Sequence, residues 1–448
     1  MTKRSQDIIA ACATPWGRSA VAMVRLSGGG LRELLSAFCE PLGGFPPARR
    51  ARLCALRDAG GVFDEALLTF FPGPRSYTGE DVAEIACHGN PLVVERLLAA
   101  AVGAGARVAH PGEFTRRAFL NGRMDLARAE AVLQSIEAAT PAGLAVARAG
   151  MDGRIGALVD ALRDELTEAV AELEARLDYP SEDLTFEEDA ALMERLQALE
   201  DRCRAVAGSY EAGRILVDGA RVALVGPVNA GKSSLFNQLG GSVRALVSPV
   251  AGTTRDVVER RVVLGSTAVT LLDTAGERDA VDPIEAAGVA LGRELVDDAD
   301  LFLVVVPAND PAAAAPVLAR MAGRPRILVG NHADRPGAVS RIDGQPLVMT
   351  CAVSGEGVEA LAQRISEALV GELPGGSRLI IASQRQRDLL LGVAERVAGC
   401  RAAMDGEAGV AVAAEELYAA LERLDSLIGR DTREAVLDAL FARFCIGK

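Results

Sequence analysis

Several absences narrow this sequence before any motif does. No stretch approaches the roughly 18 consecutive apolar residues that a membrane-spanning helix needs, although half of the residues are hydrophobic. Lys3-Arg4 are followed by Gln6-Asp7 and then only a short apolar stretch from Ile8 to Ala13, a poor secretory signal. None of the eight cysteines stands in a C-x-x-C pair, and the three histidines are scattered. That spacing disfavours a disulfide framework and a zinc site, and points to a reducing cytoplasm. Nor is there a surplus of positive charge. The formal net charge of −13 argues against an indiscriminate polyanion binder, whose affinity rests on neutralising phosphates. The arginine groups at Arg49, Arg50 and Arg52, at Arg116, Arg117 and Arg123, and at Arg385 and Arg387 read as solvated faces. Nucleic acid is then met on a limited patch or through a partner.

What is present is organised around Gly226-Pro227-Val228-Asn229-Ala230-Gly231-Lys232-Ser233, a G-x-x-x-x-G-K-[ST] phosphate-binding loop. The apolar run Val222–Val225 precedes it and Ser234–Leu239 follows as a helix start, which is the strand–loop–helix context the motif requires. Backbone N–H groups of such a loop curl around phosphates, and the helix N-terminus adds a favourable dipole. Lys232 then reaches the β- and γ-phosphates and Ser233 ligates magnesium. Around this loop, residues 218–374 alternate strand and helix and predict a mostly parallel sheet covered on both faces. Residues 1–120 read as an α+β unit with strands at Ala20–Leu26, Ala66–Phe71 and Val82–Cys87 and a helix at Leu92–Val102. Residues 121–217 and 375–448 carry helical stripes. One runs from Ile155 to Leu177 and one from Leu192 to Tyr210; others comprise Leu389, Val393, Val397 and Cys400, then Leu417, Leu421, Leu424 and Ile428, then Val436, Leu440 and Phe444. The expected fold is an α/β P-loop domain inserted in an all-α domain and preceded by an α+β domain.

Downstream segments define the nucleotide. Gly252-Thr253-Thr254-Arg255-Asp256 can fold over the γ-phosphate, with Thr254 as a second ligand on the magnesium side. Asp273-Thr274-Ala275-Gly276 follows a strand; its Asp holds the ion through water and the Gly276 N–H senses the γ-phosphate. In Asn331-His332-Ala333-Asp334 a carboxylate can accept two hydrogen bonds from guanine, which adenine cannot supply, and Cys351-Ala352-Val353 can offer a backbone N–H to guanine O6. Together, in this order, they specify a G domain. His332 stands where such proteins usually have Lys, Cys351 where they usually have Ser, and Glu277 where a Gln would position water.

The chain resembles the MnmE (TrmE) family of tRNA modification GTPases over essentially its full length. Beyond the nucleotide motifs, the resemblance rests on Ala13-Thr14-Pro15 with Gly17-Arg18, Val24–Gly28, Tyr77–Asp81, His88-Gly89, Pro111–Phe114, Ala118–Asn121 and the terminal Phe444-Cys445-Ile446-Gly447-Lys448. It implies a homodimer built through the N-terminal domains. It implies a tetrahydrofolate one-carbon donor, 5-formyl- or 5,10-methylene-tetrahydrofolate, at Arg25, Glu80, Arg123 and Lys448. It also implies potassium held by Asn229 and groups around Ser248, Val250 and Thr253. The same loop region, Ser248-Pro249-Val250-Ala251-Gly252, joins the GTP site. Glu285 falls at the position of the water-activating glutamate and Cys445 at that of a thiol used in the modification. The implied activity is GTP hydrolysis coupled, with the flavoprotein MnmG, to folate-dependent modification of the wobble uridine at C5 in certain tRNAs. The alternative is a GTPase switch in ribosome assembly that performs no base chemistry. Phe444 is expected to anchor the last helix and to leave Cys445–Lys448 as a flexible, reachable tail.

Overall fold

The computed structural model describes residues 7–178, 188–242, 258–273, 298–371, 379–406, 408–430 and 432–448. They form two compact units. The first comprises the chain up to Leu133, Gly156–Ala161 and Leu424–Lys448; the second comprises Gln134–Ile155 and Leu162–Arg423.

The first unit is built on a seven-stranded sheet. Its strands are β1 (Ile9–Cys12), β2 (Val21–Ser27), β3 (Cys39–Pro41), β4 (Ala51–Asp58), β5 (Gly61–Phe71), β6 (Val82–His88) and β7 (Arg107–Val108), in the spatial order β3-β4-β5-β6-β2-β1-β7. Alternation along β2 divides the sheet by chemistry, since successive side chains point to opposite faces. Val24 and Leu26 enter the main core with Ile85 and Leu68, beneath the short helix α1 (Leu31–Ser36) and α2 (Pro91–Gly103). Asn90 caps α2 by accepting from the Leu92 N–H at 3.0 Å, and Pro91 occupies the first turn, where no amide is needed. Arg25 and Ser27 take the other face, over which lie Phe114 of α3 (Glu113–Leu120), Tyr77 and Ala109. Leu126, Ala129 and Leu133 of α4 (Leu126–Glu137) share a smaller core with Leu437, Phe441 and Phe444.

The second unit contains helices α5 (Pro141–Met151), α7 (Asp189–Ala207) and α8 (Tyr210–Asp218), and most of α6 (Arg154–Asp178). A six-stranded sheet follows, from β8 (Ala220–Val225), β9 (Val258–Leu264), β10 (Thr267–Asp273), β11 (Leu301–Pro307) and β12 (Arg326–Asn331). After the small hairpin β13 (Arg341–Ile342) and β14 (Gln345–Pro346), β15 (Val348–Met349) completes it in the order β15-β12-β11-β8-β10-β9. All neighbours pair in parallel except β9 with β10. Six successive residues of β11, Leu301–Val306, are buried, as a parallel strand covered on both faces demands. One cover is α9 (Lys232–Ser242) with the helix Val358–Val370; the short helix α10 (Ala315–Arg320) borders the other. That later helix is α11, followed by α12 (Gln384–Asp405) and α13 (Gly409–Ile428); the end of α13 and all of α14 (Glu434–Phe441) belong to the first unit. Helices α7 and α12 pack along each other, and Arg401 donates to Glu200 at 2.9 Å between them.

The expected fold class is present, with shifts inside it. The stripe of α12 runs through Leu390 rather than Leu389, and that of α14 through Leu437 rather than the exposed Val436. In both places two apolar residues are adjacent, so periodicity alone leaves the register open by one. Among the described residues no helix is long and apolar enough to cross a membrane.

Candidate functional site

The phosphate-binding loop connects the C-terminal end of β8 to α9, beside two parallel neighbours, β10 and β11. Lys232 folds back into it and donates from Nζ to the carbonyls of Gly226 and Pro227, both at 3.0 Å. Asn229 is exposed at the tip in the left-handed region, with φ 65°. The Ser233 and Ser234 side chains are exposed at the start of α9, whereas Ala230 is buried.

Asn331 binds the loop to the segments expected to read the base. Fully buried at the end of β12, it donates from Nδ2 to the Ala230 carbonyl at 2.9 Å and accepts the Ala352 amide at 3.0 Å. Gly231 is required at this junction: its φ is 84°, and a Cβ there would stand 2.2 Å from Asn331 Nδ2. The Ala333 amide donates to the Thr350 carbonyl at 3.1 Å, so the segments 331–334 and 351–353 meet. Asp334 is exposed, Cys351 and Ala352 are buried, and Val353 is exposed at the rim. His332 has φ 63°. Its Nε2 lies 3.4 Å from where a Gly231 Cβ would be, and its Nδ1 is buried without a hydrogen-bond partner. Burial, then the charge of Arg335, lowers its pKa against the opposing pull of Asp334.

Asp273 closes β10, buried and in register with Leu224 of β8. The Ser233 hydroxyl and the Asp273 carboxylate are hard oxygen donors of the kind magnesium takes. Ser248, Pro249, Val250, Ala251, Gly252, Thr253, Thr254, Thr274, Ala275, Gly276, Glu277 and Glu285 lie outside the described residues.

A second constellation occupies the Arg25 face of the N-terminal sheet. Arg25 pairs across strands with Glu84, its Nε and Nη2 at 3.0 and 2.7 Å from the same Oε1, and lies near the rings of Tyr77 and Phe114. Glu80 Oε2 accepts from Ser27 Oγ at 2.9 Å and from Arg117 Nη1 at 3.1 Å. Arg123 donates to the Ser76 carbonyl at 3.1 Å and Asn121 to that of Thr78 at 2.8 Å, which pins the Ser76–Glu80 turn to the end of α3. At the chain terminus the Gly447 carbonyl accepts from Arg25 Nη1 and the Lys448 carbonyl accepts from the Phe114 amide, both at 3.2 Å. The last two residues are therefore docked rather than a flexible tail, although the Cys445 side chain is exposed. Burial, followed by the neighbouring Arg25 charge, lowers the pKa of Lys448.

Two family models cover these regions: the N-terminus of the GTP-binding protein TrmE matches residues 8–123, and the MnmE helical domain matches residues 126–445. The tRNA modification GTPase MnmE of Akkermansia muciniphila is 42% identical over 98% of both chains. Those of Chloroflexus aurantiacus and Myxococcus xanthus are each 40% identical, over 99% and 100% of this chain and all of theirs. The chain belongs to the MnmE family.

Within this MnmE-family chain, one arginine departs from the solvated-face reading. Arg117 is 5% exposed; it donates to Asp7 Oδ1 and Glu113 Oε1 at 3.0 Å each as well as to Glu80. Arg107 closes the network through Asp7 at 2.6 Å and Glu113 at 2.8 Å. Burial acts to raise the Glu113 carboxyl, but hydrogen bonds from Arg107, the His110 amide and Arg117 outweigh it and hold it at about 2. The i,i+4 spacing of Glu113 and Arg117 was the signal available in sequence, but nothing local announced Asp7 or Glu80 as their partners.

Proposed function

We propose that this chain is a potassium-stimulated GTPase which, with a flavoprotein partner, carries out folate-dependent modification of the wobble uridine of certain tRNAs at C5. The observation that carries the reading is Asn331. One buried side chain ties the P-loop to both segments expected to read guanine, within a chain that matches the MnmE family along its whole length.

In this reading Lys232 leaves the Gly226 and Pro227 carbonyls for phosphate oxygens, and the backbone amides of the loop replace the water those oxygens lose. Asp334 accepts two guanine N–H groups, and His332 lies beside the P-loop in place of a lysine stem. Ser233 and Thr254 would hold magnesium, with Asp273 acting through water; when bound, the ion offsets phosphate charge. Asn229, Ser248, Val250 and Thr253 would hold potassium, which supplies the positive charge of an arginine finger. Glu285 orients the attacking water. In the N-terminal domain, residues 1–120, the cations Arg25, Arg123 and Lys448 suit the carboxylates of a tetrahydrofolate and Glu80 suits its pterin N–H groups. The folate supplies a one-carbon unit when bound, and Cys445 offers an accessible thiol to the modification. Dimerisation through the same domain is supported by its open sheet face, where Val21, Leu53 and Leu67 are 56%, 40% and 47% exposed. The cytoplasm, where tRNA and GTP are both at hand, is the proposed setting.

Mass spectrometry of wobble nucleosides tests the reading. A deletion strain should lack the modified uridine, regain it with the wild-type gene and not with Cys445→Ser. Unmodified tRNA after wild-type complementation would leave only the GTPase. Turnover should be faster in potassium than in sodium, a difference that Asn229→Ala removes; equal rates in the wild type would remove potassium from the reading.

A further inference from the structure

The last two residues are built into the face that carries Arg25. Arg25 has three donor positions engaged: Nε and Nη2 on Glu84, and Nη1 on the Gly447 carbonyl at 3.2 Å. The Phe114 amide holds the Lys448 carbonyl at the same distance. Gly447 itself lies flat against β1. Its φ is 95°, and a Cβ would stand 2.6 Å from the Cys12 carbonyl oxygen and 2.8 Å from Ala13 Cα. Backbone atoms of a sheet strand cannot give way as a side chain would, so this contact admits glycine alone.

We propose that Gly447 is a positioning residue, the pin of a C-terminal latch that orients Arg25 toward an anionic ligand and seats Lys448 beside it. The inference rests on the folate reading above and adds that tail docking and ligand binding are coupled. A ligand that needs Arg25 in this orientation favours the docked tail, and by reciprocity the docked tail favours the ligand. The tail is thus part of the site before any chemistry at Cys445 begins.

The test uses full-length protein and a carboxypeptidase specific for basic residues, with release of Lys448 followed by intact mass. Cleavage of this kind reports the population of the undocked state. Wild type should be cut slowly, and more slowly still with 5-formyltetrahydrofolate. Gly447→Ala, which forces an L side chain into a left-handed and sterically closed position, should be cut roughly tenfold faster. Arg25→Met should also be cut faster, and Ile446→Ala, at an exposed position, at the wild-type rate. Titration with 5-formyltetrahydrofolate should show Gly447→Ala weakened by a similar factor, at an unchanged thermal midpoint. Equal cleavage of wild type and Gly447→Ala would overturn the latch. Equal folate affinity of the two would overturn its positioning role while sparing the folate reading. Cleavage that depends on Gly447 and Arg25, in a protein that binds no folate, would instead remove the folate reading and leave the latch standing.

Discussion

In the G domain one neutral side chain, Asn331, joins three motifs with hydrogen bonds of 2.9 and 3.0 Å. On the N-terminal sheet the comparable task is spread over five charged groups, Asp7, Glu80, Arg107, Glu113 and Arg117. A neutral amide costs little to bury once its hydrogen bonds are made, and it does not titrate. Buried ions are different, because each is tolerable only while its partner remains. The two sites should therefore fail in different ways: the first by losing ligand recognition at constant stability, the second by losing the fold around it.

The largest expected effect is Arg117→Ala. It leaves Glu80, whose side chain is 13% exposed, without its arginine, and Glu113, 10% exposed, with Arg107 alone. Removing one partner of such a set costs about 3–5 kcal/mol, so the N-terminal unit should melt well below wild type while GTP affinity holds. A variant as stable as wild type would show that Arg107 alone suffices, and the contrast between the sites would weaken.

Acid should act on the same network with slightly less force. The Glu113 pKa is lowered from 4.5 to about 2, so its contribution is full above pH 4.5 and is lost as pH falls toward 2. The shift corresponds to about 3 kcal/mol at neutral pH. Asp7 is lowered too and adds in the same direction. Urea titrations between pH 7 and 3 should show this loss in wild type and a flatter profile in Glu113→Gln. A profile just as steep in that variant would assign the acid sensitivity elsewhere.

Asp334→Asn tests the other side of the contrast. The exposed carboxylate supports no fold contact among the described residues, so stability should hold. A charge-assisted hydrogen bond contributes about 1.5–3 kcal/mol, and GTP affinity measured by titration should fall at least tenfold. Equal wild-type affinity for ATP and GTP would remove the guanine assignment altogether.

How legible each site was in sequence follows from the same contrast. The P-loop and the Asn331 and Cys351 segments are contiguous strings at strand ends, so their chemistry and order sufficed. The roles expected of Arg25, Glu80, Arg123 and Lys448 came only through resemblance, because contacts across strands and, for Arg25, with Gly447 at a separation of 422 residues leave no local pattern. β4 was missed as a strand because Arg52, Arg57 and Asp58 break its apolar run. The apolar stretch Ile8–Ala13, too short for a secretory signal, contains β1, between β2 and β7. Arg117 read as solvated because its partners Asp7 and Glu80 are distant in sequence. In each case the missing information was tertiary pairing of charges or strands, which no local period encodes.

The smallest effect belongs to His332. It stands where a lysine stem is usual, and its backbone is left-handed. The ring lies against Gly231, so it offers a flat surface near the P-loop much as an aliphatic stem does. Its pKa is lowered from 6.5, chiefly by burial and next by Arg335, so at pH 7 the imidazole is neutral and the position contributes no charge. Replacing it with lysine adds a flexible cation but removes the flat ring, and these changes oppose each other. GTP affinity in His332→Lys should therefore stay within about threefold of wild type, under 1 kcal/mol. The pH dependence should separate the two proteins more clearly. With a lowered folded pKa, the favourable neutral packing is complete above 6.5 and is lost only as pH falls below it. Wild-type stability should thus be level from pH 8 to 7 and fall toward pH 5, beyond any decline that the lysine variant shares. Parallel stability profiles for the two proteins would mean that burial of the neutral ring contributes nothing to the fold, and that this substitution in the motif is silent.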